Sequence, residues 1–360
     1  MRYKRPLRQI LSSHQDVWDH PGTRPVVRDN FSKVAECGTP SLGYTTYASS
    51  TETLKVCHRC KSRCCPSCGH RATLNWQREQ WTQLPDVPYA AITLTMPDVL
   101  WPIFRTNRHL LHDLPALAAQ VLKTYMQHRH GVTPCVIAVP HTFGRHLNFN
   151  SHVHVLISAG GLDEYSNRWV LPVNLDIETI RSRWRDAVVT YLRLAVRRSV
   201  LKASRPPSQL YRIIESQSRR RWIVHIDPLK SKTHFLRYVG RYVRRPPVAE
   251  HRFVKITGEE VVFGTKDLRL KRKVLTRYSV KEFISALSDH VPEEHEHAMR
   301  YFGLLAPQKT NLRKSALIHV RGEVPKTRPP RLTWRQAIIR SFGRDPLIDS
   351  RGEQMVRVQT

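Results

Sequence analysis

The chain has 360 residues, 40% of them hydrophobic, and its Lys and Arg outnumber Asp and Glu by 59 to 29. No apolar run approaches the 18 or so residues that cross a bilayer, which excludes a membrane-spanning helix, and the start MRYKRPLRQILSSHQ lacks the apolar core of a secretory signal. The expected location is therefore the cytoplasm. A net charge of +30 would repel itself unless a polyanion were the ordinary partner, and nucleic acid is the economical choice.

The basic residues are spread along the whole chain: Arg197 and Arg198, Arg219 to Arg221, Arg244 and Arg245, Lys271 to Lys273, and many after Lys309. A solvated basic surface explains one such cluster but poorly explains them all. An anionic membrane is the other polyanion to weigh, yet no amphipathic anchor with a clean basic face stands out.

In chain order, the first 35 residues give weak signals. Next comes a segment holding six of the seven cysteines: Cys37, Cys57, Cys60, Cys64, Cys65 and Cys68. In a cytosolic chain that density argues for a metal over disulfides. Its centre is Cys57-x-x-Cys60 and Cys65-x-x-Cys68, whose tight bends can each present two thiolates to a tetrahedral zinc. The four residues between the pairs are fewer than the usual zinc-ribbon spacing, so Cys37, Cys64, His58 or His70 are candidates to replace one of the four. Free thiols are the plain alternative. This module is expected to span residues 1–84 and to bind DNA or brace the fold.

Tyr89 to Thr95 reads as a buried strand stopped by Met96 and Pro97. From Trp101 to His128 apolar residues recur at helical spacing, with Pro115 expected to kink the helix. Val136 to Val139 reads as a strand, and the polar GRHLNFN loop predicts a hairpin into the next one. From Ser151 to Ser158 residues alternate strictly, placing His152, His154 and Leu156 on one face and Val153, Val155 and Ile157 on the other. The two imidazoles start about 7 Å apart at the backbone, close enough to converge on one ion. The bland alternative is a pair of solvated histidines.

An Arg-rich helix is expected over Ile177 to Leu201, and a strand over Trp222 to Ile226. Thr233 to Pro246 then reads as a helix ending before Pro246 and Pro247, with Tyr238 and Tyr242 four apart on one face. Arg237, Arg241, Arg244 and Arg245 flank them. As an isolated segment this is an amphipathic helix with core aromatics; ringed by guanidinium groups, two phenols also suit phosphate chemistry. Arg252 to Phe263 predicts a hairpin around a Thr-Gly turn, Ser279 to Leu287 a short helix, and 307–360 a basic extension that contacts DNA or is loosely ordered. The expected fold is α+β: a central antiparallel sheet carrying the His-x-His strand, helices packed on one face, and a small cysteine-rich module.

Four stretches together resemble the HUH-type two-tyrosine rolling-circle transposases of bacterial insertion sequences. They are CKSRCCPSCG from Cys60, HTFGRHLNFNSHVHVL from His141, YVGRYVRRPPVAE from Tyr238 and MRYFGLLAP from Met299. One departure is that Thr45 to Val56 carries no cysteine, where such proteins show a more regular run of ligands. The resemblance implies an enzyme, residues 85–306, that nicks and transfers single-stranded DNA at transposon ends and target sites. In that scheme Tyr238 or Tyr242 forms a 5′-phosphotyrosine beside a magnesium or manganese ion held by His152 and His154. Two histidines seldom satisfy magnesium, so a third ligand is expected: His141 on the neighbouring strand, or Asp227 before the tyrosine helix. The flanking arginines would hold the DNA backbone, and zinc would be structural. A rolling-circle replication initiator or relaxase shares this chemistry without needing the cysteine module, and a non-catalytic zinc-containing DNA-binding protein is the alternative outside it.

Overall fold

The computed structural model describes residues 5–62, 64–171, 174–202, 205–240, 246–267, 272–297, 299–322 and 328–358. Three helices come first: α1 (Pro6–Ser13), α2 (Gln15–Trp18) and α3 (Pro25–Ala35), burying Leu7, Ile10, Leu11, Phe31 and Val34. A hairpin of β1 (Tyr44–Ala48) and β2 (Thr53–Cys57) leads to α4 (Pro66–Gln83), which starts with Cys65 at the N-cap position and Pro66 supplying the φ of a first helical residue. After β3 (Tyr89–Thr95) the long apolar run divides into α5 (Trp101–Thr106) and α6 (His109–His130). The division falls at Asn107, whose amide donates to the Ile103 and Lys202 carbonyls, while α6 runs through Pro115 and stops at left-handed Gly131.

The expected hairpin is β4 (Cys135–Phe143) and β5 (Phe149–Ser158), followed by a small one of β6 (Gly161–Asp163) and β7 (Arg168–Val170). Helix α7 (Ile177–Arg197) is capped by the Asp176 carboxylate, then come α8 (Pro207–Ser216), β8 (Val224–Leu229) and α9 (Lys232–Tyr238). Strands β9 (Phe253–Ile256), β10 (Glu260–Lys266) and β11 (Lys273–Ser279) form a second antiparallel sheet. They lead into α10 (Val280–Ser288), which opens with a Ser279–Glu282 capping box. The chain closes with β12 (Arg300–Gly303), α11 (Thr310–Arg321), α12 (Trp334–Phe342) and β13 (Val356–Arg357).

The main sheet has the order β12-β4-β5-β3-β8, antiparallel throughout. The alternation in β5 decides its two faces. Val153, Val155 and Ile157 join Ala90, Ile92, Leu94, Val136 and Ala138 in a core closed by α5, α6, α7 and α8. Leu156 joins Tyr89, Ala91, Ile137 and Val139 in a second core closed by residues of α4, α9 and α11. Helices thus cover both faces, correcting the one-sided layer expected, because β5 carries apolar residues on both sides, Val153, Val155 and Ile157 on one and Leu156 on the other. A third core packs α1 and α3 against Phe253, Val261, Phe263 and Phe283 of the second sheet and α10.

The described residues of the basic tail are folded. Strand β13 extends the β1–β2 hairpin, and Trp334 stacks on Tyr47 with ring centroids 6.3 Å apart. The Asp349 carboxylate accepts from the Ser49 hydroxyl at 2.6 Å. Among the described residues, no helix is long and apolar enough to cross a membrane.

Candidate active site

His152 and His154 lie on the second sheet face, where β5 runs beyond the helix-covered core. The register sets His141 of β4 directly opposite His152, and Val139 opposite His154, with Thr95 and Thr93 of β3 on the other side. One donor atom from each of His141, His152 and His154 lies within 4.8 Å of the others. The rings are 4.6 to 5.5 Å apart at their centroids. His141 and His152 are 7% and 9% exposed, so water solvates them little.

The outer nitrogens fix what the inner ones can do. His152 Nδ1 faces the Asn150 carbonyl at 2.8 Å and must donate, leaving a lone pair on Nε2. His154 Nδ1 sits 3.2 Å from the Thr93 hydroxyl, and its Nε2 is 3.1 Å from that of His152. With its proton on Nε2, His154 donates to His152 Nε2; with the proton on Nδ1 toward Thr93, two lone pairs converge where a cation would bind. Two nitrogens bound at right angles to one ion at about 2.1 Å lie about 3 Å apart, so the spacing fits. Burial holds His152 below the ordinary imidazole value, and burial followed by its neighbours His141 and His152 holds His154 well below it, which keeps both rings in the neutral form a metal requires. Asn150 Oδ1, two residues along on the same face, is buried without a hydrogen-bond partner. Asp227 shares the sheet face but accepts from His225 Nε2 at 2.9 Å and stands outside the three-histidine group.

Helix α9 crosses this same face, against β3, β8 and α4. Phe235 packs on Tyr89 at 4.4 Å, and one apolar cluster joins Phe235 and Val239 to Val139, the residue opposite His154. Tyr238 ends the helix half-buried against that cluster, and Arg237 is exposed. Tyr242, Arg241, Arg244 and Arg245 lie outside the described residues.

Among the cysteines, Cys37 takes the place expected of Cys57, the replacement that the sequence had offered among its candidates. Cys60, Cys65 and Cys68 are joined by Cys37, with donor atoms within 4.8 Å and three sulfur pairs at 3.6 Å. A tetrahedral zinc with bonds of about 2.3 Å sets its sulfurs about 3.8 Å apart, so four thiolates here match that ion. Hydrogen bonds from Cys60, Cys65 and Cys68 pull the Cys37 thiol down toward the thiolate. Cys57 stands outside the group. It ends β2 opposite Tyr44, and the backbone bonds His58 N to Gly43 O and Gly38 N to His58 O keep it in the hairpin while drawing the Cys37 loop inward. Cys64 is buried in the neighbouring apolar core, His58 faces the Leu42 carbonyl, and His70 meets the Ser341 hydroxyl.

Comparison with known proteins matches two parts of the chain. Residues 135–313 match the family model described as "Putative transposase", and residues 10–96 match "Transposase zinc-binding domain". The chain is 33% identical over 320 residues to "Transposase for insertion sequence element IS801" of Pseudomonas savastanoi pv. phaseolicola, spanning 84% of this chain and 76% of that one. The chain belongs to the IS91/IS801 family of transposases. It is also 28% identical over 261 residues to "Putative transposase y4qJ" of Sinorhizobium fredii (strain NBRC 101917 / NGR234), spanning 68% of this chain and 65% of that one. No solved structure matches it.

Several residues of the transposase's site carry no sequence signal. Thr93 and Asn150 orient the histidines. Gln77 donates to the Leu236 carbonyl at 2.8 Å, and a Cβ on Gly240 would come within 2.5 Å of the same amide. Lys232 is 1% exposed, with its ammonium 4.4 Å from the Trp81 ring centroid and bonded to the Trp81 and Leu84 carbonyls. These contacts join α9 to α4, the helix that carries Cys68 in its first turn. His225 was legible only as part of a short strand; cross-strand register alone reveals that it shares the histidine face.

Proposed function

We propose that this transposase cuts and rejoins single-stranded DNA at its element's ends by tyrosine transesterification. The observation that carries the reading is the group of three histidines on the sheet face that α9 crosses. Bound to His141, His152 and His154, a divalent cation would polarise the scissile phosphate as a Lewis acid, and three imidazoles suit manganese better than magnesium.

The chain's own residues do the rest. Burial keeps His152 and His154 unprotonated, and Asn150 and Thr93 hold their ring orientations. A free phenol has a pKa near 10 and is a weak nucleophile at neutral pH, so Tyr238 or Tyr242 gains from guanidinium groups that favour the phenolate. The phenol oxygen bonds to phosphorus, the bond from phosphorus to the 3′ oxygen breaks, and the departing oxygen takes a proton to become a free 3′-hydroxyl. The 5′ end stays on the tyrosine, so rejoining by a new 3′-hydroxyl needs no ATP. With two tyrosines one site can hold two strands in succession. Arg237, Arg241, Arg244 and Arg245 would neutralise the flanking backbone. Zinc on Cys37, Cys60, Cys65 and Cys68 would brace the start of α4.

The test is covalent adduct formation on a denaturing gel, with labelled single-stranded DNA from the element's ends and manganese, magnesium or EDTA. Wild type, Tyr238→Phe, Tyr242→Phe, the double variant and His152→Ala are compared. A metal-dependent band that disappears in the double variant and in His152→Ala is expected. DNA binding without an adduct under any metal would make the chain a binding protein instead.

A further inference from the structure

A cavity of about 220 Å³ lies between the cysteine centre and the histidine sheet. One wall is the start of α4, at Gly69 and Ala72, with Lys61 from the cysteine loop. The facing wall is β4 from Val139 to Phe143, including His141, and His290, Pro292, Glu296, His297 and Met299 close a third side. Three features of this space point to a ligand.

The first is the strand edge. Strand β12 pairs with β4 only from Cys135 to Ala138. Beyond Ala138 no strand of the described residues lies on that side, so the backbone of β4 turns toward the cavity as an edge able to donate and accept hydrogen bonds. The second is the wall chemistry: Pro140, Pro247 and Pro292 and the Phe143 ring are flat and apolar, and Phe143 stacks on His141 at 4.9 Å. The third is Lys61, a non-glycine residue held at φ 56, exposed, and without a salt bridge among the described residues. A left-handed lysine is disfavoured sterically, and such outliers cluster where function maintains them.

A cavity of about 150 Å³ takes one benzene ring, so this one takes a single nucleobase. We propose that it seats one unstacked base of the single-stranded DNA next to the scissile phosphate. Phe143 and the prolines hold its faces, the β4 backbone reads its edge, and Lys61 meets its phosphate. The shared residue is His141, which both lines the cavity and belongs to the histidine group, so the base would sit within a nucleotide or so of the reaction. The inference rests on the transesterification reading, which is what brings a DNA strand to this face.

Gly69 supplies the probe, because a Cβ there would meet nothing within 4 Å. A side chain can therefore start at Gly69 without meeting the wall, and Gly69→Leu extends it into the space. Oligonucleotides from the element's ends, each with one abasic site at a successive position, are tested by fluorescence anisotropy against wild type, Gly69→Leu and Lys61→Gly, with zinc content measured in each protein. Wild type should lose about tenfold in affinity at one abasic position near the nick, the worth of one stacked base. Gly69→Leu should bind the intact strand about tenfold more weakly and show no further loss at that position. Lys61→Gly, which keeps the left-handed backbone, should weaken intact strand binding and make a methylphosphonate at the adjoining linkage neutral. An abasic penalty that persists undiminished in Gly69→Leu at every position overturns the proposal, as does a Lys61→Gly variant with wild-type affinity. Absence of a covalent adduct would instead sink the transesterification reading, and the anisotropy walk would still decide the cavity.

Discussion

Gln77 of α4 donates to the Leu236 carbonyl of α9 at 2.8 Å, and so ties the helix rising from the cysteine centre to the helix that ends at Tyr238. The buried Lys232 makes a second tie at the other end of the contact, on the Trp81 and Leu84 carbonyls. Gly240 follows immediately after Tyr238 and Val239, and any side chain there would press on Gln77. The helix that ends at Tyr238 therefore takes its position from a helix anchored among the zinc-ligand candidates. A metal in one place can affect chemistry in another by holding α4 still.

The first expectation follows from that tie. Gln77→Ala removes one hydrogen bond, worth about 1 kcal/mol, and leaves the sheet and histidines in place. Single-turnover adduct formation should slow several-fold while affinity for the DNA strand is unchanged. Equal loss in rate and affinity would show that Gln77 supports the fold generally and does not position α9.

The cysteine centre makes a sharper distinction. Cys37→Ser should abolish stoichiometric zinc and lower the melting temperature, since structural zinc contributes folding energy directly, whereas Cys57→Ser should keep both. Metal content by mass spectrometry and thermal melts on the two proteins decide it. Zinc retained in Cys37→Ser and lost in Cys57→Ser would reverse the ligand assignment.

How much of this was legible in the sequence depended on whether the information was local. Strict alternation from Ser151 to Ser158 forces His152 and His154 to one face, while the third ligand stayed open between His141, on the strand before the GRHLNFN loop, and Asp227; the strand register sets His141 opposite His152. The cysteine set was half legible. Cys57-x-x-Cys60 has the spacing of a zinc knuckle, but the β1–β2 hairpin claims Cys57 for its ladder, and the replacement comes from Cys37, brought near by a backbone bond at Gly38. Gln77, Lys232 and Gly240 matter through contacts across more than 140 residues of chain, which no periodicity encodes. The basic tail read as an extension because charge hides its anchors, Trp334 on Tyr47 and Asp349 on Ser49.

Metal affinity should separate the two candidates for a third catalytic ligand. His141→Ala removes a donor from the histidine group and should weaken manganese binding at least tenfold by calorimetry, with folding retained. Asp227→Asn keeps its hydrogen-bonding shape beside His225 and should leave manganese affinity within about twofold. The opposite ranking would hand the role to the carboxylate.

The last expectation concerns pH. His290 is buried at 6% exposure, with Nε2 donating to the Leu147 carbonyl at 3.0 Å and Nδ1 3.1 Å from the Thr142 hydroxyl. Burial lowers its pKa to about 4, and the Leu147 carbonyl opposes that shift only partly. The unfolded chain, with an ordinary imidazole near 6.5, takes up a proton first as pH falls. The neutral ring therefore contributes its full stability above about pH 6.5 and loses it as pH falls toward 4. The gap corresponds to roughly 3 kcal/mol at most. Urea melts between pH 7 and 4.5 should show stability falling across that window, and His290→Asn, less stable at neutral pH, should show a flatter slope. An unchanged slope in the variant would assign the acid sensitivity to other groups.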